Sequence, residues 1–159
     1  MANKHYTFIQ NYNNGAVRQL SMTGILKPLS IGTITSIAKQ DPIFLRRKIG
    51  GQLNRIKLLE INLTKQFNDP KYLKVQQKNK IDLNFLKDAE KIHRNYFEKV
   101  LYYREKTSNP NLVYLNKLQI SYKNALFTLN QNYQRVKLEL KGVLNNENPI
   151  RDNVQFQQI

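Results

Sequence analysis

The chain has 159 residues, 40% of them hydrophobic, which is enough for one domain with a modest core. It contains no Cys, which excludes disulfide frameworks, thiolate metal sites and cysteine nucleophiles. Lys and Arg total 26 against 11 Asp and Glu, and the formal charge of +15 favours polyanionic or acidic partners.

Residues 1–40 contain no acidic residue, and Gly15, Gly24, Gly32 and Pro28 interrupt any helical period. We therefore predict an extended basic N-terminal arm that becomes ordered on a partner. The alternative is a mitochondrial targeting segment, which is also poor in acidic residues. No apolar run resembles a secretory signal or reaches the roughly 20 residues of a membrane span, so we expect a chain that is not secreted and has no transmembrane segment.

Three Asx-Pro pairs each precede a long run of helix-forming sequence: Asp41-Pro42, Asp69-Pro70 and Asn109-Pro110. An Asp or Asn side chain accepts a hydrogen bond from a free backbone N–H at a helix start, and Pro is tolerated at the first helical position. The pairs predict helices over about 42–67, 70–107 and 110–144.

Apolar residues recur at three- and four-residue steps in each predicted helix, as expected for one buried face. In the first helix they are Ile49, Leu53, Ile56, Leu59, Leu63 and Phe67. In the second they are Phe85, Ala89, Ile92, Tyr96, Val100 and Tyr103, widened by Leu86, His93, Phe97 and Leu101. In the third they are Leu115, Leu118, Tyr122, Ala125, Leu129, Tyr133, Val136, Leu140 and Val143, a nearly heptad pattern that indicates coiled-coil-like packing.

The connections between these helices are short, so neighbouring helices should run antiparallel. We predict an all-α fold, an elongated antiparallel three-helix bundle over 41–145, followed by a short polar C-terminal tail over 146–159. A continuous or V-shaped helical hairpin is the structural alternative.

Candidate catalytic residues are few. His5 and His93 are the only histidines, and no phosphate-binding glycine loop is present. Glu90 and His93 form the Glu-x-x-His half of a di-iron motif, but such a site needs a second pair and two further carboxylates. We expect no enzymatic activity, no metal site and no cofactor.

An antiparallel bundle would gather basic residues at the end where the first helix stops and the second begins. They are Lys65, Lys71, Lys74, Lys78, Lys80, Arg135, Lys137 and Lys141. Lys71 and Lys74 fall in the opening turns of the second helix, where the helix dipole disfavours cations. An anionic partner would explain this arrangement, and a solvated lysine-rich face is the alternative.

A secondary basic cluster, Arg46, Arg47 and Lys48, lies near the start of the first helix. Tyrosines near both basic regions could stack on nucleic-acid bases. No RNP motif or paired zinc ligands support sequence-specific readout.

These observations favour a non-catalytic accessory subunit of a large multi-subunit assembly, with a mitochondrial complex of the respiratory-chain or ATP-synthase type as the expected context. Its partners would be other protein subunits, with rRNA or anionic lipid head groups also compatible with the charge. The alternatives are an rRNA-binding ribosomal or mitoribosomal protein and a structural protein of a phage particle or filament.

Overall fold

The computed structural model describes residues 19–146, with side chains up to residue 143. This part of the chain is all-α and contains no strand, as predicted. Its elements are α1 (Met22–Ile25), α2 (Ile34–Lys39), α3 (Pro42–Asn68), a 3₁₀ helix (Pro70–Val75), α4 (Gln76–Lys106) and α5 (Leu112–Asn146). The predicted C-terminal tail lies outside the described residues except for its first position, as do residues 1–18 of the predicted arm.

None of the described helices combines the length and the hydropathy that crossing a bilayer requires.

Helix α4 lies at the centre and packs against α3 and α5. It runs antiparallel to α3, because Arg46 near the start of α3 pairs with Glu105 near the end of α4. At the opposite end, the Gln76 side-chain amide donates to the carbonyl of Phe67 over 2.9 Å. The predicted antiparallel order of these two helices is therefore confirmed.

Helices α4 and α5 are also antiparallel. Asp82 contacts Tyr133 near the start of α4, and His93 contacts Tyr122 about three turns further along. In these contacts the residue numbers rise along α4 while they fall along α5, so the two helices pair over most of their length.

The N-terminal stretch differs from the predicted extended arm over residues 19–40. Its apolar side chains enter the core; Leu20, Ile25, Leu26, Leu29, Ile31 and Ile37 are all buried. Two short helices form because Ser21 and Thr33 accept hydrogen bonds from backbone N–H groups three residues on, each over 3.1 Å. Helix α1 packs on α4, and α2 packs on α5. Gly24 lies within α1, and Gly32, with a φ of 131° in the region that favours glycine, lies between α1 and α2.

Arg104 of α4 holds the end of α2. Its guanidinium is buried and donates to the carbonyls of Ile37 at 2.8 Å, Gln40 at 2.7 Å and Thr107 at 3.1 Å. A cation at this position satisfies carbonyl groups that a helix C-terminus leaves without partners. A residue that the sequence alone assigned to no site therefore ties the N-terminal stretch to the central helix.

His93 forms a second tie. One ring nitrogen, Nε2, lies 2.6 Å from the carbonyl oxygen of Ile25, and Nδ1 lies 2.6 Å from the Tyr122 hydroxyl. The same hydroxyl accepts from the backbone N–H of Leu29 over 2.8 Å. A carbonyl only accepts, so Nε2 carries the proton, and the Tyr122 hydroxyl donates to Nδ1. The neutral imidazole thus links α1, α4 and α5 with no donor or acceptor left over.

The helix starts follow the predictions at the first pair and depart from them at the other two. Asp41 caps α3 by accepting from the N–H of Ile43 over 2.9 Å. Asp69 accepts from the N–H of Lys71 over 3.0 Å, but it begins the 3₁₀ helix, and α4 starts only at Gln76.

The third helix begins at Leu112 and not at Pro110. Asn111 provides the cap, because its Oδ1 accepts from Val113 at 2.8 Å and from Tyr114 at 3.2 Å. The predicted Asn109-Pro110 start was wrong by two residues, since a second Asn immediately after Pro110 competes for the same role.

The predicted core faces are largely confirmed, with one rotation. In α4 the residues predicted to widen the stripe, Leu86, His93 and Phe97, are buried, while Phe85 and Ile92 stay half-buried. In α5, Leu126 is fully buried although it was not predicted, and Val143 is 49% exposed although it was. The N-terminal segment causes the rotation in α4, because it covers the side of α4 that carries His93.

The Asn111 cap leads to a stability prediction. We expect Asn111→Ala to lower the free energy of unfolding by about 1 kcal/mol, because two N–H groups lose their acceptor. Asn109→Ala is the matched control and should stay within about 0.5 kcal/mol of the wild type. Urea denaturation measures both, and equal losses would contradict the assigned cap.

The buried histidine leads to a pH prediction. Burial lowers the pKa of His93 below the 6.5 of an exposed histidine, and the hydrogen bond to Ile25 and the charge of Glu90 offset this only in part. The unfolded chain therefore binds a proton at His93 more readily than the folded chain. Stability should fall as the pH drops through about 6.5, with a slope of at most about 1.4 kcal/mol per pH unit from this group.

Urea denaturation between about pH 8 and about pH 5 measures this slope. We expect His93→Gln to remove the contribution of His93 to the pH dependence of stability. His5→Gln, at the only other histidine, should leave that contribution unchanged. A slope that is unchanged in His93→Gln would contradict the assignment.

Candidate docking surface

A groove of about 580 Å³ lies between the 3₁₀ helix, the first turn of α4 and the last turns of α5. Four predicted basic residues line it: Lys74, Lys78, Lys137 and Lys141. The antiparallel order of α4 and α5 brings the two pairs together across about 60 residues of sequence. We refer to this site as the basic groove.

A buried carboxylate beside the basic groove pairs with one of its lysines, and the tyrosine bonded to that carboxylate lies next to a second. Asp82 is 2% exposed, and it accepts from Lys78 Nζ over 2.8 Å and from the Tyr133 hydroxyl over 2.7 Å. The ammonium of Lys137 lies 5.1 Å from the centre of the Tyr133 ring, at cation–π distance. Asp82 thus pairs with a lysine already present, and the remaining charge in the groove is positive.

The Tyr133 phenol is held in its protonated form. Burial raises its pKa above the ordinary value, and the hydrogen bond to Asp82 and the negative charge of Asp82 raise it further. The hydroxyl therefore remains a donor to the carboxylate at neutral pH.

Apolar side chains also line the basic groove, which the sequence prediction missed. Leu73 is 65% exposed and Val75 is 41% exposed, and Leu140 completes the apolar lining. Leu73 and Val75 stand next to lysines in a polar stretch, so no apolar period pointed to them, whereas Leu140 belongs to the apolar pattern predicted for the third helix. Charge and apolar area together suit a partner that is both acidic and partly apolar.

The other predicted docking residues lie outside the basic groove. Lys65 is in the last turn of α3, Lys71 is on the 3₁₀ helix, and Lys80 is exposed on α4. Arg135 forms an ion pair with Glu139 over 3.4 Å.

The prediction that Lys71 and Lys74 lie in the opening turns of the long second helix was wrong. Lys71 and Lys74 lie in a six-residue 3₁₀ helix and not in the first turn of α4. Lys78 does lie in the first turn of α4, and its ion pair with Asp82 offsets the unfavourable interaction with the helix dipole there.

The secondary basic cluster lies at the other end of the long helices. Arg46 pairs with Glu105, and the Lys48 ammonium lies 5.7 Å from the centre of the Phe44 ring. Arg47 is exposed. This cluster is therefore separate from the basic groove.

The Glu-x-x-His pair does not form half of a metal site here. Both ring nitrogens of His93 are engaged in hydrogen bonds, and the Glu90 carboxylate pairs with Arg94 over 2.6 Å. Within residues 19–146 no cluster of three or more potential metal-ligating side chains is found.

Comparisons with protein-family models, with curated proteins and with solved structures find no match to this chain.

The hydrogen bond from Tyr133 to Asp82 beside the basic groove can be tested by substitution. Tyr133→Phe removes the donor to a buried carboxylate, and we expect the free energy of unfolding to fall by about 1–3 kcal/mol. Tyr102→Phe, at a tyrosine 66% exposed, is the control and should change it by less than about 0.5 kcal/mol. Urea denaturation compares the two, and an unaffected Tyr133→Phe variant would contradict the role given to the phenol.

Proposed function

We propose that this protein is a non-catalytic structural subunit of a large multi-subunit assembly. Its long helices act together as an elongated three-helix bundle, a rigid strut with the N-terminal stretch packed along it. The basic groove receives an acidic, partly apolar segment of a neighbouring subunit. A mitochondrial complex of the respiratory-chain or ATP-synthase type is the proposed context.

The composition of the basic groove is the observation that supports this proposal. Four lysines surround the groove, the nearby Asp82 is already paired, and Leu73 and Val75 are left exposed beside them. Lysines that served only for solubility would not explain apolar side chains in the same groove. A partner that buries both kinds of side chain would explain the two features together.

Charge reversal in the basic groove tests the proposal. Lys74→Glu combined with Lys141→Glu leaves the Lys78–Asp82 pair intact, so folding should be preserved. We expect recovery of the co-purifying partner from the native source to fall on the order of ten-fold or more, because both substitutions place like charges against an acidic segment. Quantitative mass spectrometry of the purified material measures this recovery.

The matched control reverses two lysines outside the basic groove, Lys57→Glu on α3 and Lys117→Glu on α5, both exposed. This variant has the same net charge as Lys74→Glu with Lys141→Glu. Because it leaves the basic groove unchanged, it should retain the partner. Equal loss in both variants would show that total charge and not the basic groove drives assembly. If the partner were rRNA, binding of purified RNA would fall steeply with salt, whereas RNA that fails to bind at low salt would exclude the ribosomal alternative.

A further inference from the structure

Six large apolar side chains are exposed at the end of the molecule opposite the basic groove. Their exposed fractions run from 43% for Tyr114 to 66% for Tyr102. We call this set the apolar tip; its members are Ile43, Phe44, Tyr102, Leu112, Val113 and Tyr114.

Three helix ends meet at the apolar tip. The start of α3 lies beside the end of α4 through the Arg46–Glu105 pair. The end of α4 lies beside the start of α5, because the rings of Tyr103 and Tyr114 pack edge to face with centroids 4.6 Å apart. The backbone N–H of Asn111 also donates to the Tyr103 hydroxyl over 2.7 Å. The exposed side chains therefore belong to one end of the molecule.

Basic residues surround the apolar tip, and the acidic groups there are already engaged. The basic residues are Lys39, Arg46, Arg47, Lys48 and Lys106. In the same turns, Asp41 caps α3 and Glu105 pairs with Arg46. The end of the molecule thus carries net positive charge around apolar side chains.

Two of the cations lie directly over exposed rings. The Lys48 ammonium is 5.7 Å from the centre of the Phe44 ring, and the Lys106 ammonium is 5.6 Å from the centre of the Tyr102 ring. Both ammonium groups are therefore within cation–π distance of an exposed ring. Aromatic rings beside cations are typical of the boundary between lipid head groups and acyl chains.

We propose that the apolar tip docks onto an anionic lipid bilayer, with the apolar side chains below the phosphate level and the basic residues on the phosphates. The side chains lie at three helix ends on one end of the molecule, so a soft planar surface can cover them all. A protein partner would need a matching concavity. This docking is independent of the basic groove, which lies at the other end of α4 and α5.

Sedimentation of the full chain with vesicles tests the proposal. The protein should bind vesicles of phosphatidylcholine and phosphatidylserine and should not bind phosphatidylcholine alone, since each basic residue near an anionic bilayer strengthens binding on the order of five-fold. Ile43→Ser with Phe44→Ser should weaken binding about ten-fold or more. The control, Ile120→Ser with Phe127→Ser, removes two exposed apolar residues of mid-α5 and should bind like the wild type.

A fluorescent reporter locates the contact, because the chain contains no Trp. Phe44→Trp should shift its emission to the blue on anionic vesicles and be quenched by brominated acyl chains. Phe127→Trp should show neither effect.

Four outcomes would overturn the proposal. The first is wild-type protein left in solution with anionic vesicles, and the second is an equal response of both reporters. The third is loss of vesicle binding in Lys74→Glu with Lys141→Glu but not in Ile43→Ser with Phe44→Ser, which would assign lipid to the basic groove. The fourth is binding to polyglutamate and not to vesicles that is lost in Ile43→Ser with Phe44→Ser, which would favour an acidic protein partner.

Discussion

The structure depends on a row of buried polar side chains along α4. Asp82, His93 and Arg104 follow one another at eleven-residue intervals, close to three helical turns, so they lie on nearly the same face. On α5, Tyr122 and Tyr133 are also eleven residues apart and meet His93 and Asp82. A shift of one helix past the other would leave these groups without their hydrogen-bond partners. A buried charge without its partner costs about 3–5 kcal/mol. Apolar contacts hold the helices together, and the polar row selects their register.

The same row determines where the functional surfaces lie. The pairing of Asp82 with Tyr133 brings Lys78 of early α4, and Lys74 of the preceding 3₁₀ helix, next to the lysines of late α5, which forms the basic groove. Arg104, three turns beyond His93, ties the N-terminal stretch to the end of α4, close to the apolar tip. One helix thus positions a charged groove at one end and a charged apolar surface at the other. In the proposed function, this arrangement connects a protein partner at one end to a membrane surface at the other.

Much of the fold was predictable because helix starts and apolar periods are local signals. Asp41 capped α3 as predicted, and the antiparallel order of α3 and α4 followed from the short connection at Asp69. The N-terminal stretch was not predictable in this way. Its burial depends on hydrogen bonds from the Leu29 N–H to the Tyr122 hydroxyl and from Arg104 to the Ile37 carbonyl, which join residues more than 60 positions apart. Four of the eight predicted docking residues line the basic groove. The exposed Leu73 and Val75 beside them were not predicted, because apolar periodicity indicates which side chains are buried and not which apolar side chains stay exposed.

The register of α4 against α5 is the central claim, and a distance measurement tests it most directly. The chain has no native Cys, so spin labels can be placed at chosen pairs of positions. Labels on Lys74→Cys and Lys141→Cys should show a single short dipolar distance. Labels on Lys74→Cys and Lys117→Cys should be farther apart, since positions 117 and 141 are separated by roughly 36 Å along α5 at 1.5 Å per residue. A long or broad distance between positions 74 and 141 would contradict the register and, with it, the basic groove.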